Sequence, residues 1–213
     1  MGFRPSTIYL KRRGLVDAED VLKIYKFGFE SDILPIDGIL TVITYSSVVS
    51  MSNSCKDFDF TRSFIEENTK YLPKENRIDA KSWGEAHLAY RMGHLEKSRD
   101  LLLTHDFSNF HLKRISKILT LQVYYDLFIQ TPSYYEYLVD YSNSFEKWVR
   151  REKLFSNLKK DGYLAFIQKC RELIKHKSDI DPTNNRLDNF LSNTKNVEAR
   201  NWLLAKKNEL VLA

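Results

Sequence analysis

Three stretches of this chain begin alike, and the interval between them limits what the chain can fold into. Cys-Lys-Asp-Phe-Asp-Phe-Thr, ending at Thr61, is followed thirty-seven residues on by Met-Gly-His-Leu-Glu-Lys-Ser, ending at Ser98. Thirty-nine residues further comes Thr-Pro-Ser-Tyr-Tyr-Glu-Tyr, ending at Tyr137. Each places a large side chain just after a turn signal (Phe58, Leu95, Tyr134), where it can pack under the preceding helix. Three positions later stands Thr61, Ser98 or Tyr137, and a small residue there lets two helices approach. One helix pair cannot bury both of its faces, so pairs with this period stack on one another.

The rest of the chain agrees with helices throughout. Only seven Gly and five Pro punctuate 213 residues, too few for a sheet or barrel built on tight turns. Pro5 to Arg13 is a short first segment, stopped by Gly14. Asp17 reads as an N-cap, followed by Val21, Leu22, Ile24, Tyr25 and Phe29 at helical spacing, and Pro35, Asp37 and Gly38 make the next break. From Ile39 to Ser54 the run is rich in Val, Ile and Thr, so a strand competes there. Its length decides for helix. Further helices are predicted over 57–71, 80–92, 95–103 and 109–129, the last apolar on more than one face. Ser133 to Glu136 is a capping box opening a helix to Arg150 or Arg151. Lys160 to His176 is amphipathic through Tyr163, Phe166, Ile167, Cys170, Leu173 and Ile174. A polar loop at 179–185 precedes a last helix with Trp202, Leu203, Leu204 and Leu210.

The run from Ala86 to Leu102, with Ala86, Ala89, Gly93, Leu95 and Ser98, resembles a tetratricopeptide repeat: two small residues, a turn glycine, a large apolar residue and a small one. Lys56 stands at the glycine position of the preceding pair, Tyr137 replaces the small residue in the following one, and both spacings exceed the usual ~34 residues. The closing Ala-Arg-Asn-Trp-Leu-Leu, Ala199 to Leu204, is similar to a segment of uncharacterised bacterial tetratricopeptide-like proteins. The resemblance implies an all-α fold, an α-solenoid of antiparallel helix pairs with about nine or ten helices. Residues 39–150 are expected to form the repeats. Residues 1–38 form a cap or the edge of a longer array, and 151–213 form capping helices of the same continuous domain.

Composition bounds function. Hydrophobic residues at 43% and charged residues at 29% are a globular balance. No signal peptide is expected, and no apolar run reaches the ~18 residues of a membrane span. The expected location is therefore cytoplasmic, without membrane. The opening Met-Gly-Phe-Arg-Pro-Ser fits the myristoylation pattern at Gly2 and Ser6, a short pattern that chance meets easily. Cys55 and Cys170 lie far apart and read as reduced thiols.

No catalytic, metal or cofactor motif stands out. His87, His94, His105 and His111 lack metal-ligand spacing, and there is no nucleophile elbow or glycine-rich phosphate loop. Glu66 and Glu67 read as solvated helix surface. The chain is thus expected to be a non-enzymatic scaffold without cofactor, binding a protein or peptide on a concave face lined by the first helix of each pair. Candidates on that face are Tyr45, Ser52, His87, Tyr90, Lys117 and Tyr124. The aromatic series Tyr134, Tyr137, Tyr141, Phe145 and Trp148 reads as packing, with a groove as the alternative.

Charge supplies a second reading. The net is +5, and from Phe145 to Lys177 ten Lys and Arg face four Asp and Glu. Lys147, Arg150, Arg151, Lys153, Lys159 and Lys160 form a basic patch there. It is either a solvated surface or a contact for nucleic-acid phosphates or an acidic peptide.

Overall fold

The computed structural model describes residues 17–178, 190–191 and 196–212. Nine α-helices lie among them, with no strand beyond an isolated bridge between Ile36 and Ile39. They are α1 (Ala18–Glu30), α2 (Val42–Ser54), α3 (Phe58–Asn68), α4 (Arg77–Arg91), α5 (Leu95–Leu103), α6 (Phe110–Gln130), α7 (Tyr135–Arg151), α8 (Asn157–Ser178) and α9 (Arg200–Leu212). The first segment, the myristoylation pattern and the polar loop at 179–185 lie outside the described residues. The chain divides into two compact units, Met1–Val123 and Tyr124–Ala213, with the division inside α6 and not near residue 150. No helix among the described residues is long and apolar enough to cross a membrane.

In the first unit, α1 starts at Asp17, whose carboxylate accepts the Ala18 N–H at 3.2 Å. It buries Val21, Leu22, Tyr25 and Gly28 on one stripe. Gly28 sits close against Leu34: a Cβ there would stand 3.0 Å from Leu34 Cδ1, and the leucine would have to shift by a few tenths of an ångström. Despite its β-branched residues, α2 is a helix, capped by the Thr41 side chain on the Thr44 N–H. It buries Tyr45, Val48, Val49 and Ser52 between α1, α3 and α4. Its serines look after themselves: Ser46 and Ser47 donate to the Ile43 carbonyl and Ser52 to that of Val48. Burial of such side chains, at about 1.5–3 kcal/mol each, outweighs the local strand preference.

The turns of α2–α3 and α4–α5 are one structure made twice. The Lys56 N–H bonds the Asn53 carbonyl and the Asp57 N–H that of Ser52. Gly93 and His94 do the same to Tyr90 and Ala89. Lys56 (φ 59°) and Gly93 (φ 83°) both occupy the left-handed region that ends such helices. Asp57 and His94 then share φ −84° and ψ 70°. Thr61 and Ser98 are fully buried, Thr61 donating to Ser52 Oγ at 2.7 Å and Ser98 to the Ala86 carbonyl at 2.8 Å. A lysine in the left-handed region is strained, roughly 1 kcal/mol above glycine. Lys56→Gly is therefore expected to raise stability by about 0.5–1 kcal/mol. Gly93→Ala, which meets no neighbour, should lower it by about 1 kcal/mol through φ alone. Urea unfolding of the two variants checks this, and equal and opposite signs are the expected pattern.

The α6–α7 connection is different. A 3-10 turn, Pro132–Tyr134, leads into α7, and Tyr134 takes the N-cap position without a side-chain hydrogen bond. The anticipated Ser133–Glu136 capping box is thus not the device that opens this helix, because the proline-led 3-10 turn takes up the first residues. No residue of this connection has positive φ, and Tyr137, at the small-residue position, is exposed.

In the second unit, α7 and α8 pack through Phe145, whose ring lies 6.0 Å from that of Tyr163, with Trp148 edge-on to Phe155. Arg171 of α8 bonds Glu146, Ser142 and Asn143 of α7. Lys206 of α9 pairs with Asp126 at 2.9 Å, and Trp202 stands edge-on to Tyr125. Cys55 is half-buried and Cys170 buried, and both are free thiols.

Candidate partner-binding surface

In the first unit, polar side chains of α2, α4 and the start of α6 meet in two clusters. In one, Asn53 Nδ2 donates to His87 Nδ1 at 2.9 Å, and the Trp83 ring lies 5.1 Å from the His87 ring. Asn53 Oδ1 and Trp83 Nε1 are buried without a hydrogen-bond partner among the described residues. Burial, and then the charge of Arg91, pushes the His87 pKa down to about 3, so the ring is neutral at pH 7. Nδ1 must then be the acceptor for Asn53, with the ring proton on Nε2.

In the second cluster, Ser46 Oγ and His111 Nε2 are 2.9 Å apart, and Arg114 Nη2 donates to His111 Nδ1 at 2.9 Å. Nδ1 is therefore an acceptor, Nε2 carries the proton, and Ser46 accepts it while donating to the Ile43 carbonyl. Burial and Arg114 lower the His111 pKa to about 4. Burial, and then Lys113, also pulls down the Lys117 ammonium pKa. Lys113, Arg114 and Lys117 lie along this stretch of α6, with Asp106 paired to Lys113 at 3.7 Å, so cations outnumber carboxylates there.

The candidate residues separate sharply here. Tyr45 and Ser52 are fully buried, and Tyr124 is nearly so, its ring parallel to that of Tyr137 and tilted against that of Tyr141. These three are core side chains, because the inner helices are packed on several sides and leave little polar face to solvent. Tyr45 Oη pairs with Thr69 Oγ1 at 3.1 Å, and burial holds its pKa well above the usual phenol range. His87, Tyr90 and Lys117 are half-buried, so their outer atoms reach the surface. Asn53 and Trp83 were not among the candidates. Nothing in their spacing marks them, and only the packing of α2 on α4 leaves their polar atoms unsatisfied.

A third polar group has an enzyme-like composition and a different geometry. Asp79, buried at the start of α4, accepts from His105 Nε2 at 2.7 Å, Ser108 Oγ at 3.0 Å and the Asn109 N–H at 2.6 Å. Ser108 donates to the carboxylate and not to the imidazole, so no histidine is placed to take its proton. The group ties the α5–α6 loop to α4, and Asn109 continues it by accepting the Leu112 N–H. Burial opposes the Asp79 charge, but the three donors outweigh it and hold the carboxyl below the usual range.

Between α3, α4 and α5 lies a cavity of about 350 Å³. Ile65 and Leu88 lie in it, rimmed by Arg62, Glu66, Glu85 and Lys97. Arg62 is engaged by Asp59 and Glu85 faces Lys81, so the rim is mixed in sign and solvated. Glu66 and Glu67 are exposed. Among the described residues no three His, Cys, Asp or Glu side chains come together as a metal-binding group.

In the second unit, the basic patch is only partly free. Arg150 makes two bonds to Glu146 Oε1, Lys159 pairs with Glu198, and Lys160 donates to the Arg150 carbonyl at the end of α7. Arg150 and then Arg171 hold the Glu146 carboxyl below its usual range. Lys147, Arg151 and Lys153 are exposed and have no carboxylate partner among the described residues. Phe145 is core, Trp148 packs on Phe155, and Tyr137 is the most open ring of the aromatic series. Comparison with protein families, with curated proteins and with solved structures finds no match for this chain.

Proposed function

We propose that this chain is a tetratricopeptide-like helical-repeat scaffold without enzymatic activity, binding a protein or peptide partner through the face shared by α2, α4 and the start of α6. The repeated turn carries this reading: two helix pairs thirty-seven residues apart are each joined by the same left-handed turn, with a small hydroxyl residue, Thr61 or Ser98, buried at the same place. α4 packs on α2, α3 and α5, as a second pair stacked on a first would. Extending this stacking through α6 and α7 gives a solenoid over 39–150. His87, Tyr90 and Lys117 are the earlier candidates that serve such a face. The cations around His111 and Lys117 favour a partner segment carrying carboxylates.

The test is retention of partners by the tagged chain from its own cells, with and without nuclease, read by mass spectrometry. A discrete protein is expected to survive nuclease and to be lost when Lys113 and Lys117 are both changed to Glu. Loss of every partner on nuclease would move function to the basic patch, where Arg151→Glu with Lys153→Glu becomes the deciding variant. Indifference to the Lys113 and Lys117 changes would remove the α2–α4–α6 face from the reading.

A further inference from the structure

Each unit carries an exposed apolar patch, and the two patches are opposite in charge. In the first unit, the end of α1, the segment after it and the start of α2 present Phe27, Ile33, Ile36, Ile39 and Ile43 to solvent, with Ile39 at 60% and Ile43 at 56% exposure. From Phe27 to Cys55 the chain has three carboxylates, Glu30, Asp32 and Asp37, and no Lys or Arg. All three carboxylates are exposed, and no ion pair engages them among the described residues. The segment is held in place: Leu34 N–H bonds the Gly28 carbonyl, Ile39 N–H that of Ile36, and Leu40 N–H that of Tyr71. A pre-shaped apolar surface of this kind loses little entropy on binding, and apolar patches rimmed by charge mark interaction sites.

In the second unit, the α7–α8 junction presents Leu154 at 70% and Leu158 at 67% exposure. The same stretch of chain carries Lys147, Arg151 and Lys153, exposed and without a carboxylate partner among the described residues. The junction is also ordered, the Leu154 N–H donating to Glu152 Oε1 at 3.0 Å. Contact with nucleic-acid phosphates would use the cations and leave both leucines in water. A surface offering apolar area and carboxylates together satisfies both, and the first unit of this same chain offers that.

We infer that the chain associates head to tail with a second copy of itself, the acidic isoleucine patch of one copy covering the basic leucine patch of the next. The contact joins two different surfaces, so it propagates into a ring or an open row of copies and does not stop at a symmetric dimer. It shares α2 with the partner-binding face proposed above but uses neither α4 nor the start of α6, so the Lys113 and Lys117 changes test that face and the patch variants test this contact.

Sedimentation velocity of the full chain tests this, from micromolar to near-millimolar concentration at low and high salt. The average mass is expected to grow with concentration and to shrink with salt. Two charge-reversed variants decide the contact: Glu30→Lys with Asp32→Lys and Asp37→Asn, and Lys147→Glu with Arg151→Glu and Lys153→Glu. Lysine is tolerated at the left-handed position of Asp32, as Lys56 shows at its own. Each variant alone is expected to lose association by about a hundredfold or more. An equal mixture restores it, because each altered patch then meets its complement. Thermal melting like the parent's establishes that both variants are folded. If either melts early, Ile39→Ser or Leu154→Ser takes its place with the same expected loss. A parent chain that stays monomeric at every concentration overturns the inference, as does self-association that survives both variants. A monomer whose basic patch instead binds anionic vesicles or RNA overturns it too, and gives that patch to the other ligand.

Discussion

Asp79→Ala is expected to lower stability by about 3 kcal/mol, which for a chain of this size moves Tm down by roughly 6–12 °C. The side chain accepts from His105, Ser108 and the Asn109 backbone N–H, and hydrogen bonds to a charged acceptor are worth about 1.5–3 kcal/mol each without adding fully. Removing the carboxylate leaves those donors part-buried and unpaired, and frees the α5–α6 loop from α4. Asp79→Asn keeps the shape but turns an NH2 toward donors, so its loss is intermediate, about 2 kcal/mol. The Asp79 pKa is lowered in the folded state, so its contribution is fully present above the unfolded carboxylate pKa of about 3.9. That contribution is lost as pH falls through the lower folded value. The difference between parent and Asp79→Ala should hence stay level from pH 7 to about 5 and narrow only below about 4. Urea unfolding across that range measures it. A loss below about 1 kcal/mol would mean that the loop does not depend on this carboxylate.

The histidines give an acid effect in a different window. His87 and His111 have folded pKa values pushed down to about 3 and about 4, below the ~6.5 of an unfolded histidine. In that interval the unfolded chain takes up protons that the folded chain refuses, so stability falls as pH drops below about 6.5. The slope reaches about 1.4 kcal/mol per pH unit for each histidine, which gives His87 alone roughly 2 kcal/mol between pH 6.5 and 5. His111 contributes less, being partly solvated. Changing both to Gln preserves a partner for Asn53 and for Ser46 while removing the titration. The double variant should show nearly the same unfolding free energy at pH 7 and pH 5, where the parent does not. A parent chain without that difference would mean that His87 is hydrated beyond its half-buried position, with the α2–α4 seam open there.

Much of the helical layout was legible because helices announce themselves locally. Leu95–Leu103 appears with the expected bounds, and α6 and α8 differ from expectation by one to three residues at each end. Periodicity of three and four is a property of neighbouring residues, and burial of a stripe is what that periodicity serves. Lys56 shows the limit of motif reading. Its residue type departs from the tetratricopeptide pattern, yet its backbone takes the glycine conformation, because the hydrogen bonds of the turn and the burial of Thr61 outweigh about 1 kcal/mol of strain.

The surface was harder to read. Tyr45, Ser52 and Tyr124 look like polar face residues along the sequence, yet lie in the core with Thr69, Thr61 and the Tyr137–Tyr141 rings as company. Leu154 and Leu158 are apolar residues that stand in water, which nothing in their spacing marks. In both cases the outcome depends on which element comes to lie opposite, and that element is distant along the chain.

From the residues alone it was legible that the chain is helical, where its helices run, that a turn pattern recurs at intervals of thirty-seven and thirty-nine residues, and where positive charge gathers. Those follow from spacing, capping residues and composition, all of short range. It took the packed chain to fix which polar groups are buried without partners, that Asp79 binds residues twenty-six to thirty positions away, and which of the basic side chains are already neutralised. The physical reason is common to all three: burial and ion pairing are fixed by the neighbour across an interface, and the interval along the chain carries no record of that neighbour.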